Sequence, residues 1–218
     1  MRDLVILIPC RNDGKSLEKI ILKLKKYNLL IIDDFSSDNT SSLRLKYEID
    51  YIRNKKNLGY ERSIIKGFNH ILKKMKKINF IITLDADGQH TLKDISKFYQ
   101  CIKSKKIDLV IGNRKKKNRI IEKKLSELSK KKYNVYDPVS GFKAYKRNII
   151  KKILKKIKPD LFLSDVIPLS IQNDFKIINL DININNRKNS NPKVGSLKKV
   201  NKKIQKIIKH FKISWKKN

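Results

Sequence analysis

The chain has 218 residues, enough for one large domain with a buried core, and 39% of its residues are hydrophobic. Its two cysteines, at positions 10 and 101, are too few and too far apart to predict a disulfide framework or a zinc site. The net charge of +34 comes mainly from lysines spread along the chain, so either a coding bias or an anionic partner such as a membrane or a nucleotide explains it.

The ends of the chain and its apolar runs bear on where the protein is located. The N-terminus leads directly into the apolar run 4–8, without the features of a signal peptide. The apolar runs are all shorter than the ~20 residues that a helix needs to cross a bilayer. We therefore expect a cytoplasmic protein, either soluble or peripherally attached to the inner face of the plasma membrane.

Apolar strands alternate with amphipathic helices through the first half of the chain. The predicted strands are 4–8, 29–32, 50–53, 78–84 and 107–111. Apolar residues at helical spacing predict the intervening helices, with stripes at 17–24, 64–75 and 92–102 and a short helix at 41–46. This alternation predicts an α/β fold, in which a mostly parallel sheet carries helices on both faces.

The pattern weakens after Arg114. The basic stretch 115–132 is either helical or mobile. Further elements are predicted as an extended segment at 139–145, helices at 149–157 and 165–172, and a strand at 175–184, followed by a polar loop at 183–192. Pro168 is expected near the first turn of the second of these helices.

Two carboxylates, Asp85 and Asp87, follow the fourth predicted strand. Because side chains alternate along an extended chain, both point the same way, and Gly88 permits a sharp turn directly after them. Paired carboxylates suit Mg²⁺ or Mn²⁺, which would keep open positions for substrate phosphates. An acidic loop without a metal is the alternative, since such loops are common.

Other polar clusters follow other predicted strands. They comprise residues 9–13 after the first strand, Asp33 and Asp34 after the second, and residues 112–114 after the fifth. Ligands of parallel sheets bind beyond the carboxyl ends of the strands, so these clusters predict a single site. Arg114 would hold a phosphate with two hydrogen bonds, or would be a surface charge.

In this order the motifs resemble those of the family 2 glycosyltransferases and, within them, of the polyprenol-phosphate branch related to dolichol-phosphate mannose synthase. The resemblance covers roughly residues 4–200. It depends on Ile8-Pro9-Cys10-Arg11-Asn12-Asp13, residues 32–40, Asn57-Leu58-Gly59, residues 84–90, Gly112-Asn113-Arg114 and residues 137–142. It implies a Rossmann-like GT-A fold that binds a nucleotide-diphosphate sugar, an inverting sugar transfer and a divalent metal held by Asp85 and Asp87.

The resemblance also implies roles for individual residues. The first loop would contact the nucleotide, although an aromatic and a Glu of the family are replaced there by Arg11 and Asp13; its residues are Pro9, Arg11, Asn12 and Asp13. Asp34, at the end of the second strand, would accept hydrogen bonds from the base or ribose. Gln89 would add a neutral oxygen ligand to the metal, or it is an ordinary turn residue. The segment that shapes the sugar and acceptor pocket would include Asp137, Ser140 and Gly141, and Asp137 would either orient this segment or contact sugar hydroxyls.

Two later positions match the family less closely. Arg187 and residues 192–199 are similar to a closing loop that folds over the diphosphate, but the spacing from Arg187 to Gly195 is longer and the Ser-Lys pair is not intact. Asp165 matches the region before the acceptor-side helix. It would be the catalytic base for a sugar hydroxyl, whereas a lipid phosphate needs no base, and Asp165 would then be a helix N-cap.

The division of the chain follows from these assignments. Residues 1–196 are expected to form the catalytic domain, and residues 197–218 a basic amphipathic helix or tail that includes Ile207 and Trp215. A helix of this kind either lies on an anionic membrane surface or packs its apolar stripe on the domain.

Together these features predict a metal-dependent inverting glycosyltransferase in which Asp87 is catalytic. The expected partners are a nucleotide-diphosphate sugar and a polyprenyl phosphate, with a saccharide hydroxyl of a cell-surface glycan as the alternative acceptor. A non-catalytic, basic nucleic-acid-binding protein is the alternative of another class. The chain carries no recognised nucleic-acid motif, so no nucleic acid is expected as a partner.

Overall fold

The computed structural model describes residues 2–115, 120–184, 202 and 205–209. Within these ranges the strands are β1 (Leu4–Cys10), β2 (Asn28–Asp33), β3 (Asp50–Arg53), β4 (Phe80–Thr83), β5 (Leu109–Arg114), β6 (Lys143–Lys146) and β7 (Ile177–Ile182). The α-helices are α1 (Gly14–Leu24), α2 (Leu43–Lys46), α3 (Tyr60–Lys74), α4 (Leu92–Ile102), α5 (Ile120–Tyr133), α6 (Arg147–Ile153) and α7 (Phe162–Ile171). Short 3₁₀ turns precede α2 and follow α6.

The strands form a seven-stranded sheet in the order β3-β2-β1-β4-β6-β5-β7. Strand β6 is antiparallel to both of its neighbours, whereas every other pairing in the sheet is parallel. Six strands therefore point the same way, and their carboxyl ends meet at one edge, which we call the carboxyl edge. The predicted α/β class with a mostly parallel sheet is confirmed.

Helices cover the sheet on both faces, because each helix buries one apolar stripe. Helices α1 and α4 pack on one face, and the predicted stripe of α1 is buried at Leu17, Ile20, Ile21 and Leu24. Helices α3, α6 and α7 pack on the other face around Phe68. Strand β1 lies in the middle of the sheet and is buried along its whole length.

Several boundaries differ from those predicted. Helix α7 begins at Phe162, three residues before the predicted start, and Pro168 lies in its interior. The extended segment predicted at 139–145 is a strand only from Lys143, because Ser140 N donates to Asp137 O at 3.1 Å and closes a turn. Of the two alternatives for 115–132, the described part is helical.

Arg147 fastens the C-terminal end of α3. Its guanidinium donates hydrogen bonds of 2.9–3.2 Å to four backbone carbonyls, those of Ile71, Leu72, Met75 and Ile78. The last carbonyls of a helix have no partner within the helix, and a cation there also complements the helix dipole. Arg147 thus sets the position of α3, whose first turn lies at the carboxyl edge.

The described part of the C-terminal segment packs on the domain. Ile207 is buried against Leu125 of α5 and Leu161, and Ile208 packs beside it. For these residues the structure favours packing over exposure to a membrane. Most of the predicted tail 197–218 lies outside the described residues. No helix in the described ranges is both long and apolar enough to cross a membrane.

Replacing Arg147 with Ala should destabilise the protein, because four carbonyls in the last turn of α3 and in the segment after it lose a charged donor. Hydrogen bonds to charged groups contribute about 1.5–3 kcal/mol each, so we expect the free energy of unfolding to fall by about 2–4 kcal/mol. Urea unfolding followed by circular dichroism measures this. Arg44→Ala, at an exposed position of α2, is the matched control. Equal stability of the two variants would contradict the role given to Arg147.

Candidate functional site

The loops after β1 and β2 are bonded to each other at the carboxyl edge. Asn12 N donates to Ser36 Oγ at 3.0 Å, and Ser37 N donates to Asn12 Oδ1 at 2.8 Å. Gly14 N donates to Asp38 Oδ2 at 3.1 Å. Asn12 therefore connects the two loops through its backbone and its side chain, and they form one surface.

The remaining residues of the predicted first loop divide between strand and surface. Pro9 lies within β1 and is buried, so it shapes the end of the strand. Arg11 is exposed, and its N–H donates to Asp13 Oδ2 at 3.2 Å. Contacts of this loop with a nucleotide stay a prediction. Arg11 is an exposed, positively charged residue of the loop.

Asp34 faces inward. It is 5% exposed, and its carboxylate accepts hydrogen bonds from Leu58 N at 2.7 Å, Gly59 N at 2.8 Å and Asn54 Nδ2 at 2.8 Å. Neighbouring Asp33 is also buried and accepts from Tyr51 Oη at 2.6 Å. The predicted contact of Asp34 with a base or ribose stays a prediction, and the structure shows a second role for this residue. Asp34 holds the loop after β3 in place, because buried carboxylates require partners.

Asp85 and Asp87 remain accessible at the same edge. They follow β4 on a turn in which Gly88 has a φ of 74°, which confirms the predicted use of glycine there. Asp87 Oδ1 accepts a hydrogen bond from Gln89 N at 3.1 Å, and both aspartates are partly exposed. In the described ranges no three His, Cys, Asp or Glu side chains gather as a metal site. The two carboxylates are oxygen donors of the type that Mg²⁺ and Mn²⁺ prefer, so they fit a cation that takes its other ligands from a substrate.

His90 approaches Asp85 instead of starting a helix. Thr91 is the N-cap of α4, and its Oγ1 accepts a hydrogen bond from Asp94 N at 3.2 Å, so His90 lies just outside that helix. His90 Nε2 lies 3.8 Å from Asp85 Oδ2, and its ring packs on Phe142 with 4.7 Å between centroids. The histidine is therefore a neighbour of the acidic pair.

The environment of Asp85 keeps it ionised. Burial would raise the pKa of Asp85, but hydrogen bonding and charge from His90, together with Tyr60 and Arg114, lower the pKa below its ordinary value. A carboxylate that is ionised at neutral pH is ready to attract a cation. The same interactions place the first turn of α3 and the end of β5 close to Asp85.

Arg114 is held by Asp137 through two parallel hydrogen bonds. Arg114 Nε lies 2.6 Å from Asp137 Oδ2, and Arg114 Nη2 lies 3.0 Å from Asp137 Oδ1. Asp137 is fully buried, so of its two predicted roles the structure supports orientation and not contact with sugar hydroxyls. Burial would lower the pKa of Arg114, but Asp137 raises it, so the guanidinium stays charged.

A turn formed by residues 137–142 packs directly on Asp85. A Cβ at Gly141 would lie 2.3 Å from Asp85 Oδ1, so any side chain at this position would displace the Asp85 carboxylate. Thr83 Oγ1 donates to Gly141 O at 2.7 Å. Ser140 is buried within the turn. Gly141 thus sets where the Asp85 carboxylate lies, and contact of Ser140 or Gly141 with a sugar or acceptor stays a prediction.

Lys143 stabilises this turn through hydrogen bonds. Its side chain is fully buried, and Nζ donates to Pro138 O at 3.1 Å and to Ser140 O. Burial lowers the pKa of Lys143 to about 8, although the nearby carboxylates of Asp137 and Asp85 oppose this. Neither Lys143 nor Thr83 was predicted as a site residue. The available signal was a lysine in the otherwise apolar run 142–145, which a buried strand does not tolerate without partners.

Asp165 lies in the first turn of α7. Leu161 is the N-cap of that helix, so the N-cap alternative for Asp165 is wrong. The carboxylate is 4% exposed, and its Oδ2 accepts from Lys158 N at 2.9 Å. Asp165 therefore stabilises the turn before α7, and its role as a base stays a prediction. Arg187 and the closing loop 192–199 lie outside the described residues.

A model of the family described as Glycosyl transferase family 2 matches residues 5–154, which is more than half of the chain. The chain belongs to the family 2 glycosyltransferases. The matched range begins in β1 and ends just after α6, so it contains the acidic turn, Arg114 and the turn 137–142. The enzyme interpretation is confirmed, in preference to a non-catalytic nucleic-acid-binding protein.

Curated relatives of this transferase include enzymes of the polyprenol-phosphate branch. The UDP-N-acetylglucosamine–dolichyl-phosphate N-acetylglucosaminyltransferase of Methanococcus voltae is 27% identical over 187 residues, which cover 70% of this chain and 73% of that protein. The dolichol-phosphate mannosyltransferase of Pyrococcus furiosus is 28% identical over 174 residues, covering 68% of this chain and 47% of that protein. An uncharacterized protein of Methanocaldococcus jannaschii is 30% identical over 169 residues, covering 68% of this chain and 73% of that protein. The resemblance to this branch is confirmed.

Solved structures show the same fold. Glucosyl-3-phosphoglycerate synthase from Mycobacterium tuberculosis, in complex with Mg²⁺ and UDP, has a TM-score of 0.71 at 14% identity, covering 95% of this chain and 77% of that one. The complex of that enzyme with Mn²⁺ and UDP-glucose has a TM-score of 0.67 at 15% identity, with the same coverage. The predicted GT-A fold is confirmed.

Replacing Gly141 with Ala should reduce turnover while leaving stability nearly unchanged, because the added methyl displaces a side-chain carboxylate at the surface. We expect kcat to fall at least about tenfold, since small misplacements of reacting groups reduce rates strongly. Gly67→Ala is the matched control, because its Cβ would lie 2.4 Å from Leu7 Cδ1 in the core. It should lower the melting temperature and keep the turnover of the folded fraction. A lower melting temperature with native turnover in Gly141→Ala, together with reduced turnover at native stability in Gly67→Ala, would contradict the role of Gly141.

The contribution of Lys143 to stability should depend on pH. The unfolded side chain keeps its proton up to the ordinary pKa of 10.5, whereas the native one releases it near 8. Between these values the unfolded chain binds more protons, so this contribution to the free energy of unfolding rises with pH, by about 3 kcal/mol in all. Urea unfolding of the native chain and of Lys143→Met, each at pH 7.5 and at pH 10, measures the difference between their free energies of unfolding. The titrations of the tyrosines and of Cys10 are common to both chains and cancel in this difference. A difference that does not change with pH would disprove the shift.

Proposed function

We propose that this transferase moves a sugar from a nucleotide-diphosphate sugar to a polyprenyl phosphate, with inversion at the anomeric carbon and with help from Mg²⁺ or Mn²⁺. The observation that carries the proposal is the acidic turn Asp85–Asp87 beside the charged Arg114 at the carboxyl edge. Ligands of such sheets bind at this edge, and a diphosphate needs positive charge there when it leaves.

On the donor side, Asp85 and Asp87 would hold the metal, with Gln89 as an added oxygen ligand. When bound, the metal neutralises charge on the leaving diphosphate. Its use is supported by the ionised carboxylate of Asp85, by the partly exposed Asp87 and by the neighbours crystallised with Mg²⁺ or Mn²⁺ and UDP. Arg114 adds a second positive charge, because Asp137 keeps it protonated and fixes its orientation. The exposed cation Arg11 and the loop 9–13 would contact the nucleotide.

On the acceptor side, a lipid phosphate is supported by the names of two relatives, which act on dolichol or dolichyl phosphate. A phosphate oxygen is already anionic and needs no base. It attacks the anomeric carbon opposite the diphosphate, the new C–O bond forms, and the nucleoside diphosphate leaves with the bonding electrons. A buried Asp165 that is bonded to Lys158 N agrees with chemistry that needs no base. The chain carries a net charge of +34, and its contact with an anionic cytoplasmic membrane face would bring the lipid to this site.

Asp87→Asn should abolish turnover and leave the fold intact, because the amide cannot supply the charge that the metal requires. We expect a loss of at least about 10²–10³-fold in kcat, the cost of removing one electrostatic contact to a leaving group. The assay incubates protein, Mn²⁺, radiolabelled nucleotide sugar and polyprenyl phosphate, and measures label extracted into organic solvent that mild acid releases. Asp50→Asn, an exposed carboxylate at the amino end of β3, is the control.

Three outcomes of this assay separate the parts of the proposal. Label that appears only on saccharide acceptors rejects the lipid acceptor and supports a sugar hydroxyl, for which Asp165→Asn should then stop the reaction. Full turnover in Asp87→Asn rejects the metal assignment. No transfer to either acceptor from any donor rejects the proposed activity.

A further inference from the structure

Phe35 is an exposed aromatic residue in an unusual backbone conformation at the carboxyl edge. It lies two residues after the end of β2, its φ is 63°, and it is 48% exposed. Residues with a Cβ are disfavoured in this left-handed region, which glycine adopts freely. Folding alone would favour glycine here, and solubility would favour a polar residue.

Phe35 combines surface exposure with a positive φ, and this distinguishes it from the other exposed apolar residues of the described ranges. The large apolar residues that are exposed in the described ranges are Leu22, Phe35, Leu45, Ile120, Tyr136, Ile171 and Ile184. Residues other than glycine that have a positive φ there are Asn12, Phe35, Asn134 and Asp174. Phe35 is the member common to both described sets. Strained residues cluster at ligand sites, and Asn12, also at this edge, is bonded to the two residues that follow Phe35.

The surroundings hold the Phe35 ring in place. The guanidinium carbon of Arg53 lies 5.6 Å from the centroid of the ring. Arg53 Nη2 donates to Ser36 O at 2.7 Å, and Arg53 Nη1 lies 3.7 Å from the buried carboxylate of Asp33. Ser36 N in turn donates to Asp33 Oδ1 at 2.9 Å. Arg53, the last residue of β3, is therefore held beside the Phe35 ring by Ser36 and Asp33.

We propose that Phe35, supported by Arg53, is the stacking surface for the nucleobase of the donor, an inference that rests on the proposed function. A flat aromatic group with a cation beside it suits the face of a base, whichever base it is.

The test uses the substitution Phe35→Gly, because glycine removes the ring and also relieves the backbone strain. We expect Phe35→Gly to raise the melting temperature and to raise the Kd of nucleoside diphosphates about tenfold or more. Isothermal titration calorimetry with Mn²⁺ and each of UDP, GDP, ADP and CDP measures the affinity. Inorganic pyrophosphate, which has no base, should bind the variant and the native chain equally.

Two matched variants complete the experiment. Phe35→Trp should keep nucleotide affinity, because the indole also stacks. Leu45→Ala, which alters an 83% exposed side chain on α2, should change neither stability nor affinity measurably. Native affinity of Phe35→Gly for nucleotides, or an equal loss for pyrophosphate, would overturn the inference while leaving the proposed donor class in place. A native chain that binds none of the four nucleotides would overturn the proposed function as well.

Discussion

The carboxylate of Asp85 lies against the Cα of Gly141, and the rest of the site is arranged around this contact. The contact requires glycine, and it also requires the turn 137–142 to stay fixed. Thr83 bonds to the carbonyl of Gly141 from β4, and Lys143 bonds to two carbonyls of the turn from β6. The strand that precedes Asp85 and the strand that follows the turn are therefore attached to each other at the point where the acidic pair projects.

The antiparallel strand β6 makes this arrangement possible. Because β6 lies between β4 and β5 and runs the opposite way, the residues that precede it reach the edge where its neighbours end. The turn 137–142 thus brings Asp137 to Arg114 at the end of β5 and Gly141 to Asp85 after β4. Burying the charges of Asp137 and Lys143 is costly unless each has a partner. Ion pairing and hydrogen bonding to carbonyls satisfy this condition, and they fix the positions of the groups that face a ligand.

Four carboxylates at the carboxyl edge illustrate how position decides role. Asp33 and Asp34 are buried and accept hydrogen bonds from the protein, so they hold loops together. Asp85 and Asp87 follow a neighbouring strand, are partly exposed, and are available to a cation. The residue types are identical, and the difference lies in how deeply each carboxylate is buried. The left-handed backbone at Phe35 belongs to the same edge, where local strain coincides with the loops expected to meet the donor.

Much of the fold and the location of the site were predictable from the amino-acid order. Apolar periodicity depends on which residues face a core, so it marked the strands, the helix stripes and the edge on which polar motifs collect. The ordered motifs from Pro9 to Gly141 also indicated the family, which the match over residues 5–154 confirmed. Periodicity does not say which way a polar side chain turns or which strands become neighbours. Only the tertiary structure decided that Asp34 faces inward and that β6 brings Lys143 and Gly141 close to Asp85, because these contacts join residues far apart in the chain.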